Sequence, residues 1–141
     1  MRVMAIDYGD AHTGIAISDP TGLLAGFTTV INAYRPDRVT EQIALLAKEH
    51  RVERLVLGHP INMDGTRGPR SEKAQAMRQL LEETTGLPVV LWDERRTTID
   101  AHQILMSSGK NAKKRKKVVD AVAASLILEG YLTYLKTHPE G

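Results

Sequence analysis

Five short apolar segments of strand length, connected in two different ways, restrict what this chain can fold into. They lie at 2–7, 14–18, 23–31, 55–57 and 89–92. The first three follow one another through short connections, including a turn at 19–22, and this arrangement predicts an antiparallel meander. The last two are each preceded by a longer segment whose apolar residues recur at helical spacing, which is typical of parallel strands joined by helices.

The segments with helical spacing predict helices that flank this sheet. They lie at 36–50, at 71–85 with Gly86 as the stop, around 99–105 after a cap at Thr97 or Thr98, and at 117–135. The last is apolar on nearly every side, which indicates a helix buried against the sheet. We therefore predict an α/β fold in a single domain, 1–141. Its centre is a mixed five-stranded sheet, with an antiparallel meander and two parallel strands, flanked by helices.

The composition excludes several classes of protein. A chain of 141 residues, 42% of them hydrophobic, matches one globular domain. No apolar run reaches the roughly 18 residues that a membrane span needs, and no secretory signal precedes the first strand, so we expect a cytoplasmic protein without a membrane partner. Cysteine is absent, which excludes thiolate sites and favours a hard metal such as Mg²⁺ or Mn²⁺.

Positive charge is concentrated in one part of the chain, although the net charge is only +2. The stretch 101–119 contains no acidic residue, and five cations follow one another within it. They are Lys113, Lys114, Arg115, Lys116 and Lys117. Such a run suits the phosphates of a nucleic acid, although a solvated charged loop would have the same composition.

The first candidate for chemistry is Asp7, which ends the first strand and is followed by Gly9 and Gly14. A carboxylate at this point is predicted to lie at the carboxyl edge of the sheet, where α/β proteins bind ligands. The two glycines would let the backbone approach a phosphate of the substrate. A turn aspartate followed by structural glycines is the alternative explanation.

Two adjacent carboxylates, Asp93 and Glu94, follow the strand at 89–92. Because side chains alternate along a strand, only one of them can face a given site. We assign Glu94 to a metal and Asp93 to a local helix cap. The residues that come next are predicted to contact substrate: Arg95, Arg96 and Thr97. An exposed loop with surface ion pairs is the alternative here.

The third carboxylate, Asp120, lies in the first turn of the predicted last helix, where an acidic residue is favourable for electrostatic reasons alone. Three carboxylates at one sheet edge would, however, repel one another unless a divalent metal neutralised them. The sequence therefore predicts a metal site formed by Asp7, Glu94 and Asp120.

The loop that begins at Gly58 is predicted to leave the sheet at the same edge, and it offers Asn62 as a contact for the substrate backbone. A plain surface loop explains any single residue of it almost as well. His59 follows the strand directly, and for such a histidine a structural hydrogen bond is more usual than metal ligation.

Four blocks of the sequence resemble the YqgF family, also called RuvX, of Holliday junction resolvase-like proteins linked to pre-16S rRNA processing. The blocks are AIDYG…GIAISD at 5–19, VLGHPINMDGTRGPRSEKA at 56–74, LPVVLWDERRTT at 87–98 and VVDAVAASLIL at 118–128. The resemblance implies a ribonuclease H-like fold in which Asp7, Glu94 and Asp120 hold a divalent metal. One departure is that Ala11 and His12 stand where the family usually has Lys and then Arg. A phosphate contact by His12 would therefore be weaker or pH-dependent.

These residues predict two-metal hydrolysis of phosphodiester bonds, in which Asp7 bridges two ions about 3.5–4 Å apart while Glu94 and Asp120 complete their separate shells. We expect a monomer that acts on RNA, in 5′-end maturation of pre-16S rRNA. Two other functions fit the same residues. One is resolution of branched DNA, which usually needs a two-fold dimer, and the other is non-catalytic RNA binding in ribosome assembly. Retention of all three carboxylates argues against the last.

Overall fold

The computed structural model describes residues 1–9, 11–19, 25–59, 69–93 and 112–138. Within these ranges the chain forms five strands and three helices. In chain order they are β1 (Val3–Asp7), β2 (His12–Ser18), β3 (Ala25–Asn32), α1 (Pro36–Glu49), β4 (Arg54–His59), α2 (Pro69–Thr85), β5 (Val89–Asp93) and α3 (Ala112–Thr137).

The strands form one mixed sheet in the order β3-β2-β1-β4-β5. β1 pairs antiparallel with β2, and β2 pairs antiparallel with β3. β4 pairs parallel with both β1 and β5. A parallel pair needs a long crossover connection, and α1 and α2 supply the connections into β4 and β5. The predicted meander and the two parallel strands are therefore confirmed, and β1 is the strand where the two halves meet.

Alternation of side chains along β1 divides the apolar residues between two cores. Met4 and Ile6 belong to a core that the sheet forms with α1 and α2. Val3 and Ala5 belong to a second core, on the opposite face, that the sheet forms with α3. All four side chains have no exposed surface. The helices therefore cover both faces of β1 and leave only its ends for a site.

The carboxyl-terminal half of α3 is held to the sheet by Tyr131, which is fully buried. Its hydroxyl accepts a hydrogen bond of 2.7 Å from Nη1 of Arg54, at the start of β4. Its ring meets the Trp92 ring of β5 edge to face, with 5.9 Å between the ring centroids. These contacts connect α3 to two different strands, so they restrict both the position and the direction of the helix.

The start of α3 differs from the sequence prediction. The helix begins at Ala112, five residues before the predicted start at Lys117. The prediction was wrong because it treated the run of cations as a boundary, whereas Lys and Arg are good helix formers. The predicted helix around 99–105 lies outside the described residues. No helix in the described ranges is long and apolar enough to cross a membrane.

The other boundaries agree with the predicted ones to within about two residues. The predicted stop of α2 at Gly86 is confirmed, and its cause is visible in the backbone. Gly86 has a φ of 71°, and its N–H donates a 2.9 Å hydrogen bond to the carbonyl oxygen of Glu82. A left-handed residue just after the last turn is the usual glycine end of a helix.

We predict that Gly86→Ala lowers the free energy of unfolding by about 1 kcal/mol, because a residue with a Cβ is strained in the left-handed region. A Cβ at this position would have no neighbouring atom within 4 Å, so the cost is conformational only. Thr84→Ala, at an exposed helical position, is the control and should not destabilise the protein. Urea unfolding measures both, and a Gly86→Ala midpoint equal to that of the wild type would contradict the prediction.

Candidate metal centre and nucleic-acid interface

Three parallel strands end at one edge of the sheet. β1, β4 and β5 run in the same direction and finish at Asp7, His59 and Asp93, and the last two residues are register partners. Asp7 therefore lies at the carboxyl edge, as the sequence predicted. This edge is where the two cores stop and where α/β proteins place their ligand sites.

Asp7 lies on the face of the sheet that α3 covers. Val3 and Ala5, four and two residues earlier, belong to the core beneath α3, and the alternation of the strand gives Asp7 the same face. Directly across the ladder its partner is Gly14 of β2, which has no side chain. The carboxylate is partly exposed. Asp7 thus occupies an edge position, and its partner on the neighbouring strand adds no side chain to this face.

β5 contributes a large aromatic residue to the same face. Val90 and Trp92 pack in the core beneath α3, whereas Val89 and Leu91 pack in the core with α1 and α2. Glu94 lies outside the described residues, and the structure describes only the backbone of Asp93. The choice of Glu94 rather than Asp93 as the metal ligand therefore stays a prediction.

Asp120 lies in the third turn of α3, eight residues after Ala112, and not in the first turn as predicted. The helix dipole acts mainly within the first turn, so it no longer explains an acidic residue at this position. Position 120 is four residues before Ala124 and seven before Ile127, both of which are buried against the sheet. This spacing belongs to one face of a helix, so position 120 is on the sheet-facing side.

The five cations at 113–117 occupy the first two turns of α3 and not a loop. Successive residues on a helix are about 100° apart, so five of them cannot share one side. Positions 113, 116 and 117 stand at spacings of seven, four and three residues before position 120, which puts them on its side of the helix. Positions 114 and 115 fall on other sides. The five cations that were predicted to contact phosphates are therefore divided between different sides of the helix.

His12 begins β2 and forms a hydrogen bond with Asn32 at the end of β3. The distance between His12 Nδ1 and Asn32 Oδ1 is 2.6 Å. A carboxamide oxygen only accepts hydrogen bonds, so Nδ1 carries the proton in this contact. This contact holds the ring against the end of β3. The phosphate contact of His12 stays a prediction.

Gly9 has a structural reason to be glycine. A Cβ at this position would overlap the carbonyl oxygen of His12, so the connection between β1 and β2 closes tightly only without a side chain. This close approach within the chain accounts for Gly9 without a substrate. Contacts of Gly9 and Gly14 with a phosphate therefore stay predictions.

Several predicted site residues lie outside the described ranges, so their roles stay predictions. They are Asn62, Glu94, Arg95, Arg96 and Thr97. Of the three proposed metal ligands, only Asp7 has a described side chain. Within the described part of the chain, no group of three or more His, Asp and Glu side chains is placed to hold a metal ion.

Comparison with known families identifies the chain. A family model described as "RuvX: Holliday junction resolvase" matches residues 1–134. The chain belongs to the RuvX family. A relative from Halothermothrix orenii is 44% identical over 134 residues, which cover 95% of this chain and 96% of the relative. A relative from Bacillus subtilis is 43% identical over 137 residues, which cover 96% of this chain and 99% of the relative. Both relatives bear the name "Putative pre-16S rRNA nuclease".

The solved structures confirm the predicted ribonuclease H-like fold for this member of the family. Thermus thermophilus RuvC, in complex with a Holliday junction substrate, superposes with a TM-score of 0.62 at 17% identity, over 97% of each chain. A second structure of Thermus thermophilus RuvC gives a TM-score of 0.57 at 16% identity. At these identities the likeness concerns the fold alone.

We predict that Gly9→Ala destabilises the protein by about 1–3 kcal/mol, because the added methyl group forces the backbone at His12 to move. Gly86→Ala is the matched comparison, since it strains the backbone without any collision. The collision at position 9 and the backbone strain at position 86 are distinguished by the NMR chemical shifts of the Gly14 and Asn32 amides. We expect these shifts to change in Gly9→Ala only. Unchanged shifts together with an unchanged unfolding midpoint would contradict this explanation of Gly9.

Proposed function

We propose that this RuvX-family nuclease hydrolyses phosphodiester bonds in RNA with a divalent metal, and that its substrate is the 5′ end of precursor 16S rRNA. The observation that carries the proposal is the place of Asp7, at the carboxyl end of the central strand, on the face of α3 and opposite a glycine. The names of the curated relatives support the choice of substrate. A cytoplasmic location, as expected from the sequence, agrees with an RNA precursor as substrate.

The donor set at this edge fits a hard divalent cation. Carboxylate oxygens are the ligands that Mg²⁺ and Mn²⁺ prefer, and the chain has no cysteine. Trp92 packs beneath α3, and we assign Glu94, two residues later in the sequence, to the face of Asp7 on the rule of strand alternation. Position 120 is on the side of α3 that faces the sheet. We therefore assign the metal to Asp7, Glu94 and Asp120, and when bound it supplies an activated water and neutralises charge on the leaving oxygen.

The cations of the chain are assigned to binding and orienting the substrate. Lys113, Lys116 and Lys117 share the side of α3 that carries Asp120, so they are the members of the run best placed to hold phosphates beside the metal. Phosphate contacts confer affinity with little sequence preference. Further contacts along the RNA strand are assigned to His12, Asn62, Arg95, Arg96 and Thr97.

A monomer is the form that we assign to the active protein. The large apolar side chains exposed in the described ranges are Met1, Phe27, Tyr34 and Leu45. Four such side chains supply less apolar surface than a large obligate interface buries. One active site is enough to trim an RNA end, whereas resolution of a junction requires two symmetric cuts.

A Holliday junction resolvase is the second candidate, and the description of the family favours it. Such an enzyme would have to form a two-fold dimer on branched DNA. The two candidates share Asp7, Glu94 and Asp120, so variants of these residues cannot separate them. The preferred substrate and the mass in solution can separate the two candidates.

We predict that Asp7→Asn, Glu94→Gln and Asp120→Asn each remove most of the Mg²⁺- or Mn²⁺-dependent cleavage of a labelled precursor 16S rRNA fragment, because each withdraws one metal ligand. A loss of about 100-fold or more is expected. Circular dichroism of each variant should match the wild type, since each change nearly preserves the size and shape of the side chain. Asp93→Asn is the matched control for Glu94→Gln and should cleave normally.

The same assay includes a labelled four-way DNA junction, with light scattering to measure mass. A stable dimer that nicks the junction symmetrically and leaves the RNA intact would replace the proposed function by the second candidate. Normal cleavage by Glu94→Gln together with loss in Asp93→Asn would show that the strand alternation was assigned wrongly.

We predict that the two sides of α3 differ in their contribution to RNA binding. The double variant Lys113→Ala/Lys117→Ala should reduce the slope of log Kobs against log salt by about 1.4, since each lost phosphate contact on a single strand removes roughly 0.7. The double variant Lys114→Ala/Arg115→Ala removes the same charge and should leave the slope nearly unchanged. Equal effects of the two variants would mean that the run acts through its overall charge and not through one side of the helix.

A further inference from the structure

A cavity of about 460 Å³ opens near the carboxyl edge of the sheet, on the face opposite α3. It lies between the end of β1, the connection from β3 to α1, and the middle of α2. Its lining includes Tyr8, Tyr34, Pro36, Lys73, Met77 and Leu80. The volume falls within the roughly 300–1,000 Å³ that is usual for small-molecule sites.

The chemistry of the lining suits a flat aromatic ligand that carries negative charge. Met77 is 2% exposed and forms an apolar, polarisable floor. Tyr34 is 80% exposed, so its ring stands in solvent at the rim. Lys73, an exposed residue of α2, is the charged residue among the described residues of the lining. The cavity beside Trp92 differs, because the acidic Glu129 lines it.

The position of this cavity relates it to the proposed metal centre. Tyr8 directly follows Asp7, and Tyr8 packs against the core of α1 and α2 while Asp7 lies on the face of α3. Adjacent Cα atoms are only 3.8 Å apart. An RNA strand that crosses this edge of the sheet with one phosphate near Asp7 can therefore place a neighbouring base on the opposite face of β1.

We propose that this cavity binds one unpaired nucleobase of the RNA substrate, which stacks on Tyr34 while Lys73 contacts its phosphate. The inference rests on the proposed function, because it takes RNA as the ligand. It adds a requirement for an unpaired base in the substrate, which the phosphate contacts of α3 do not impose. A base inside a duplex is not available to stack, so the site selects substrate that is single-stranded next to the cut.

The test is binding of a fluorescein-labelled RNA of about 12 nucleotides, measured by anisotropy in EDTA so that no cleavage occurs. Stacking of a base on an aromatic ring is worth about 1–3 kcal/mol by alanine substitution, so Tyr34→Ala should weaken binding of the single strand by about 5- to 150-fold. Tyr34→Phe keeps the ring and should bind like the wild type. Phe27→Ala removes a different exposed aromatic ring, on β3, and should have no effect.

The same RNA annealed to its complement separates stacking from general affinity. Tyr34→Ala should bind the duplex as tightly as the wild type does. The fluorescence of 2-aminopurine, placed in the single strand, should be quenched on binding to the wild type and should not be quenched on binding to Tyr34→Ala. Equal weakening for single strand and duplex, or no weakening for either, would overturn the inference. Because Tyr34 is mostly exposed, unfolding is not expected, and circular dichroism of the variant verifies this.

The outcomes also separate this inference from the proposed function. If the wild type shows the stacking pattern but cleaves no RNA with Mg²⁺ or Mn²⁺, the proposed function fails and the base site stands. If the wild type cleaves RNA normally and Tyr34→Ala binds single-stranded RNA like the wild type, the base site fails and the proposed function stands.

Discussion

The alternation of side chains along β1 is the constraint on which the rest of the molecule depends. β1 pairs with an antiparallel strand on one side and a parallel strand on the other, and its residues pack alternately into two separate cores. Because both faces are covered, a polar side chain has a place only at the end of the strand. Asp7 and Tyr8 are those residues, and the period of two gives them opposite faces. A shift of one residue in register would exchange them.

Much of the fold is predictable because it depends on patterns that are local in the sequence. The apolar segments and their connections are enough to predict the five strands, the meander and the parallel pairs. Gly86 is recognisable as a helix end because only glycine adopts its backbone conformation without strain. The start of α3 is not predictable in this way, since Lys and Arg occur in helices and in solvated loops alike.

The candidate site is predictable in part for the same reason. Asp7 follows an apolar strand, so its position at an edge is evident from the sequence alone. The contact between His12 and Asn32 depends on the register of β2 against β3, which contains an irregularity at Ile17 and Ser18, and no local pattern specifies it. Likewise, the cavity beside Tyr8 joins three segments that are far apart in the chain. Such sites require the tertiary structure.

The continuity of α3 has a mechanical consequence for the proposed metal centre. The buried hydroxyl of Tyr131 is fastened to Arg54 at the opposite end of the parallel strands, and about 16 Å of unbroken helix separates position 131 from position 120. A helix of this length behaves as a stiff rod, so the contact between Tyr131 and Arg54 helps to fix where position 120 lies relative to the sheet. Residues far from the proposed metal centre would then contribute to how accurately that centre is placed.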